Sequence, residues 1–181
     1  AMQVPYKIYG RDFQAENIRY TCSGMLFDVV IGDNIYPDLQ IPLLGEHQAK
    51  NCALALAVCM DVMADLYRES TTFSMPAVRK NLSLLHWPGR MEVLHSNPFV
   101  LLDACINSAS CENVKDVLRH LGISNCTVIV GIPEDKDYAG VVRSMNDMAA
   151  RIILTKSGNP HYHFSKNQQE TLVQEGISAE W

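Results

Sequence analysis

Apolar residues recur at spacings of three and four from Ala49 through Cys52, Leu56, Cys59 and Met63 to Leu66. One continuous stripe of that period predicts a helix over residues 46–67 with one face on a core. Gly45 stands just before it. Ahead of the helix, residues 6–42 read as short strands divided by turn signals. Residues 27–31 form a β-rich run, Gly32-Asp33-Asn34 a turn, and residues 39–43 a second run, which together predict a hairpin. Pro37 and Pro42 sit near its margins. After the long helix, Ser74 as cap and Pro76 in the first turn predict a second helix over 75–84. Trp87-Pro88-Gly89 ends that section and is the expected domain boundary.

From Arg90 the pattern changes to alternation. Residues 91–95 and 99–103 read as strands joined by Ser96-Asn97-Pro98. Residues 111–121 read as a helix with Ser110 as cap and Gly122 as stop. A buried strand at 127–131, a helix at 138–148, a strand at 151–155 and a helix at 165–174 follow. Such alternation predicts an α/β fold: a Rossmann-like, mostly parallel sheet with flanking helices, preceded by a strand hairpin and long helices. The expected domains are residues 1–87 and 88–181. In sheets of this kind ligands bind beyond the carboxyl ends of the strands. Here those ends are the loops after Asp103, Gly131 and Thr155.

Composition narrows the function classes. The 181 residues are 48% apolar and 19% charged, so they can bury a sizeable core. The net charge of −5 comes without any basic block, which argues against nucleic acid or an anionic membrane as partner. The longest apolar run, residues 52–60, is far short of a membrane span. No signal peptide is recognised. The six cysteines show no Cys-x-x-Cys spacing. Cys52, Cys59 and Cys126 lie in apolar runs and read as small hydrophobes. All six read as reduced, which places the protein in the cytoplasm. Cys105 and Cys111 stand apart, near a loop and a helix start.

Trp87-Pro88-Gly89-Arg90-Met91-Glu92-Val93, a short linker, an apolar strand and Asp103-Ala104-Cys105-Ile106-Asn107-Ser108 carry the most information in the chain. Together they resemble the opening of the C-terminal domain of the folylpolyglutamate synthase/dihydrofolate synthase family, which reads Pro-Gly-Arg-x-Glu, a strand, then Asp-Gly-Ala-His-Asn-Pro. Ala104, Ile106 and Ser108 depart from that ending. Upstream, Leu43-Leu44-Gly45-Glu46-His47-Gln48-Ala49-Lys50-Asn51 is similar to a segment at the end of the family's central ATPase domain. Downstream, residues 131–137 resemble its Gly-x-x-x-Asp-Lys-Asp, and Thr155 to His161 its Thr-x-x-x-x-Pro-Arg, with His161 where Arg is usual. Muramyl ligases of cell-wall synthesis share the outline more distantly.

The resemblance implies an ATP- and Mg²⁺-dependent ligase that joins glutamate to a folate through an acyl phosphate. Such chemistry rests on positioning and charge neutralisation around phosphate. The family's phosphate loop, Gly-x-x-Gly-Lys-(Ser/Thr), is not found among the 181 residues. The expectation is a module inactive on its own, carrying no catalytic residue, binding nucleotide weakly or not at all, and calling for a separate ATPase domain or partner subunit. Ala1-Met2 looks like a tag residue before a start Met, which favours a natural degenerate fragment over a piece cut from a full ligase.

By resemblance, Asn51 faces adenine, where an amide can donate and accept at once. His47 belongs to the same segment. Arg90 approaches phosphate, which a guanidinium fork suits. Asp103 meets the nucleotide. Lys136 and His161 lie on the substrate side. Each has a plain structural alternative: a helix-surface Asn, a hydrogen-bonded first-turn His, an Arg tied to Glu92, and a solvated charged turn at Asp135, Lys136 and Asp137. His161 and His163 without a third ligand do not make a metal site. The competing readings are a non-enzymatic module that binds a nucleotide or a partner, and a fragment of a muramyl ligase.

Overall fold

The computed structural model describes residues 6–21, 23–66, 74–133, 136–155, 158–159 and 166–179. The chain divides into two compact units, residues 1–102 and 103–181. The hairpin that follows the Trp87 turn therefore goes with the first unit.

In the first unit, β1 (Phe13–Thr21), β2 (Gly24–Ile31) and β3 (Asn34–Ile41) form an antiparallel meander in that order. The expected hairpin is thus the second half of a three-stranded sheet. Side chains on a strand alternate between faces, and Met25, Phe27 and Val29 of β2 all turn inward, each fully buried. They pack with Leu39 and Ile41 of β3 under α1 (Glu46–Leu66).

The helix starts where the sequence places it but seats differently. Its buried line is Ala49, Ala53, Leu56 and Ala57, while Cys59 and Leu66 of the expected stripe are exposed. Alanines at steps of four let a helix backbone approach a sheet closely. The bulky residues of the sequence stripe marked the period correctly and the contact face only in part. The second helix, α2 (Met75–Leu82), is short, with Ser74 capping Ala77 N and proline in its first turn, as expected. β4 (Glu92–Ser96) and β5 (Phe99–Leu102) pair antiparallel across the Asn97-Pro98 turn.

Asp28 ties the meander together. Its carboxylate accepts from Asn17 Nδ2 on β1 at 2.6 Å and from Asp38 N on β3 at 2.8 Å. Asn17 and Asp38 both have positive φ, at 51° and 53°, and lie in the irregular stretches of the two registers. The Asn17 amide, then the Asp38 N–H, holds the Asp28 carboxyl below its ordinary range. A carboxyl depressed in the native state stabilises above the unfolded value of about 3.9 and loses that contribution as pH falls through the folded value. Asp28→Ala is expected to cost about 1 kcal/mol near neutral pH. The gap between the urea midpoints of parent and variant should narrow below about pH 4; a gap constant down to pH 2 would contradict this.

The second unit contains α3 (Ser108–His120), β6 (Cys126–Val130), α4 (Tyr138–Met145), β7 (Ala149–Leu154) and α5 (Lys166–Gln174). β6 and β7 pair in parallel with α4 as the crossover, the arrangement expected from strand–helix alternation. β6 is half exposed rather than buried, with Thr127 and Ile129 open. α3 begins three residues earlier than the sequence indicates. Asn107 is its cap, accepting from Ser110 N, and Ser110 answers as the reciprocal partner in a capping box. The core joins Val117, Val142, Ile152, Leu154 and Leu172. Lys115 is buried but ion-paired to Glu112 at 3.0 Å and Asp147 at 3.1 Å.

Candidate functional site

Arg90 is displayed by a rigid turn. Gly89 has positive φ (69°) and its N–H donates to the Glu92 carboxylate at 2.7 Å. Arg90 N closes the turn onto Trp87 O at 3.3 Å. Met91 is 3% exposed and anchors the segment in the core. With Met91 inside and Glu92 engaged, Arg90 is left exposed. Glu92 also faces His86 Nε2 at 3.8 Å, so it is shared with the turn and is not a dedicated partner for Arg90.

These residues line an open pocket of about 330 Å³ in the first unit. Its other walls include Ser23, Gly24, Leu43, Leu44 and Trp87. A guanidinium, an indole and an imidazole around an open cavity suit a planar or anionic group. Sequence reasoning missed His86 and Trp87 as pocket walls. The signal was a large aromatic in a Pro-Gly turn, and Trp87 is indeed 59% exposed.

His47 and Asn51 lie in the first two turns of α1, and neither is among the residues lining that pocket. Asn51 is exposed and donates its amide to Gln48 Oε1 at 3.4 Å. His47 is half-buried. So in the first unit the structure gathers Arg90 with the Trp87 turn and keeps the α1 pair apart from it.

Asp103 and Lys136 belong to the second unit. Asp103 is half-buried in the loop before α3, where its negative charge opposes ionisation of the Cys105 and Cys111 thiols without outweighing the Cys111 hydrogen bond that holds Cys105 low. Lys136 is exposed in the turn after β6, and its carbonyl accepts from Tyr138 N. Its neighbour Asp137 caps α4, accepting from Gly140 N at 3.0 Å, which is a structural use of that charge. Because β6 and β7 are parallel, this turn and Thr155 open on one edge; Thr155 N donates to Val130 O at 2.9 Å. His161, Glu134, Asp135, Pro160 and His163 lie outside the described residues. Among the described residues no group of three or more His, Cys, Asp or Glu is placed to hold a metal. No helix is long and apolar enough to cross a membrane, among the described residues.

No family model matches the chain. Curated proteins do. A probable bifunctional folylpolyglutamate synthase/dihydropteroate synthase of Haloferax volcanii is 33% identical over 113 residues, 62% of this chain and 13% of that protein. The folylpolyglutamate synthase of Lacticaseibacillus casei is 30% identical over 135 residues, 74% of this chain and 30% of its own length. The chain therefore spans less than a third of either relative. Ligases of muramyl precursors match as well. In fold, the chain is similar to the folylpolyglutamate synthase of Mycobacterium tuberculosis complexed with ADP, with a TM-score of 0.81 at 24% identity over 93% of this chain and 37% of that one. Over most of its length the chain is thus similar in sequence to part of the ligases of the folylpolyglutamate synthase/dihydrofolate synthase family, and it shares the fold of that part.

Proposed function

We propose that the chain is the nucleotide-facing and amino-acid-facing part of an ATP-dependent acid–amino acid ligase, the kind that adds glutamate to a folate. In this reading residues 1–87 derive from the end of a central ATPase domain and residues 88–181 from a C-terminal ligase domain. The protein works in the cytoplasm. The observation that carries the reading is Arg90, exposed on the wall of an open pocket beside a turn in which Gly89 N is held by Glu92.

The residues fit a nucleotide in part. Arg90 offers paired donors to a phosphate, and Asn51 an amide to adenine. By resemblance His47 goes with the adenine side, Asp103 with the nucleotide, and Lys136 and His161 with the substrate. Ile106 adds no polar group to the Asp103 loop. ATP, when bound, supplies the phosphoryl group that activates the acid. The chain's own residues bind and orient; none of them takes the part of base or nucleophile. Mg²⁺, which takes few protein carboxylates and relies on nucleotide phosphates, would come with bound ATP.

With phosphate contacts this sparse, ADP should bind with a dissociation constant of roughly 1 mM, about −4 kcal/mol. Amide chemical-shift titration of the full chain with ADP measures it. Arg90→Ala and Asn51→Ala should each remove the saturable response. A micromolar constant, or binding that ignores both substitutions, would show a different site and sink the reading.

A second reading, docking of a partner domain, is favoured by one specific feature. Leu54, Val58, Val62 and Leu66 follow each other at steps of four on α1, and each is about half exposed or more. A contiguous apolar line of that kind marks an interaction face. It is compatible with the first reading, since a separate ATPase domain is the partner expected.

A further inference from the structure

We infer that Cys105 and Cys111 form a redox-modifiable pair, oxidised to an intramolecular disulfide by a small-molecule disulfide of the glutathione type. Cys105 is half-buried in the irregular loop that precedes α3, and Cys111 is fully buried in the first turns of that helix. Their sulfurs are 3.7 Å apart, with the Cys111 thiol donating to Cys105 Sγ. A disulfide needs roughly 2.05 Å. The missing distance is a short movement of the two side chains.

The loop is also held in register for the reaction. Ile106 N and Asn107 N both donate to Ser110 Oγ at 3.2 Å, and Ser110 N donates to Asn107 Oδ1 at 2.8 Å. This cap fixes the segment between the two thiols. The other described thiols are placed differently. Cys126 Sγ donates to Met148 O, and burial pushes the Cys52 thiol up to about 11.

The two sulfurs have distinct roles. The Cys111 hydrogen bond holds the Cys105 thiol below its ordinary range, against the opposing effects of burial and the Asp103 charge. The Cys111 thiol is raised, first by that same hydrogen bond and then by burial. Only the thiolate attacks a disulfide. Cys105 is therefore the attacking sulfur and Cys111 the resolving one. Cys105 thiolate attacks one sulfur of the small disulfide, the S–S bond breaks, and one small thiol leaves with a proton. Cys111, losing its proton to solvent, then attacks Cys105 Sγ. The mixed disulfide breaks and the second small thiol leaves. Two protein thiols are oxidised, and one small disulfide is reduced to two thiols. In a reducing compartment such a bond is transient, which is how cytosolic disulfides act as sensors. None of this depends on ligase activity.

The test uses the full chain. Trypsin releases residues 91–115 as one peptide, which contains Cys105 and Cys111 and no other cysteine. The protein is incubated with glutathione disulfide, free thiols are alkylated, and the digest is weighed. The expected result is a peptide lighter by two hydrogens, with both alkylation sites lost, and reversal by dithiothreitol. In Cys111→Ala the second step is blocked, so Cys105 should accumulate as a stable glutathione adduct. Three outcomes in the parent protein would overturn the inference: both cysteines still alkylated, a lasting glutathione adduct on Cys105, or a link from either cysteine to a different one. The parent digest decides the matter even if the variant folds poorly.

Discussion

Replacing Gly24 with alanine is expected to destabilise the first unit by roughly 3 kcal/mol or more, among the largest effects of a single methyl group in this chain. Gly24 opens β2 with φ of +135°, a conformation that L residues rarely adopt. An added Cβ would stand 2.0 Å from Ile41 O and 2.7 Å from Pro42 Cα. Both are backbone atoms at the end of β3, so no side chain can rotate away. The sheet must open where Met25 pairs with Ile41 and where the fully buried Met25 enters the core. Gly32 supplies the control. It too has positive φ, +54°, but open space around the built Cβ. Gly32→Ala should cost only about 1 kcal/mol, the backbone term without the clash. Urea denaturation of both variants, followed by circular dichroism, separates the terms. Equal losses would refute the contact argument.

The chain alone is expected to release no ADP above background from ATP in the presence of folate, glutamate and Mg²⁺. A single phosphate-stabilising arginine in related chemistry is worth roughly a thousand- to a hundred-thousand-fold in rate. These 181 residues, which contain no such phosphate loop, should fall short by more than that and leave nothing measurable. Restoring the family-like ending with Ala104→Gly, Ile106→His and Ser108→Pro should not change this, because such groups act as an assembled set. Turnover should appear only when an ATPase domain from a related ligase is supplied separately. The apolar line Leu54, Val58, Val62 and Leu66 on α1 is the docking face proposed for that domain. ADP release by the repurified chain alone, or by the triple variant alone, would overturn the proposal.

Elements with a chemical start or stop signal were legible in the sequence. Ser74 with Pro76 located α2, and the Asn97-Pro98 turn located the β4–β5 hairpin. The cap of α3 was misplaced because Ser110 does take part in it, though as the third helical residue answering Asn107. A Ser three residues after an Asn fits either role until the backbone is seen. The seat of α1 was misjudged for another reason. Periodicity weighs bulk, whereas the close contact uses Ala49, Ala53 and Ala57, which carry little signal. Asp28 shows the same limit. One acid inside an apolar run gives no hint that it bridges Asn17 and Asp38, since both partners are fixed by strand register. Of the candidate pocket, Arg90 was named through the resemblance of its Pro-Gly-Arg motif, and it does line the pocket. The walls Leu43 and His86 were not legible as walls, because a pocket is made by distant segments meeting.

The wiring of the meander and of the parallel pair has a kinetic consequence. In the meander each strand pairs with its neighbour in sequence, beginning at Ile31 and Asn34 across a tight turn. Contacts so local close quickly and can form while the polypeptide is still emerging from the ribosome. Val130 and Leu154 can pair only after α4 has been made and has crossed over. Until then β6 presents an unpaired edge, with Ile129 open to whatever it meets. The order of birth along the chain is thus also the order of increasing exposure to misassembly, and a chaperone would have most to shield in the later half.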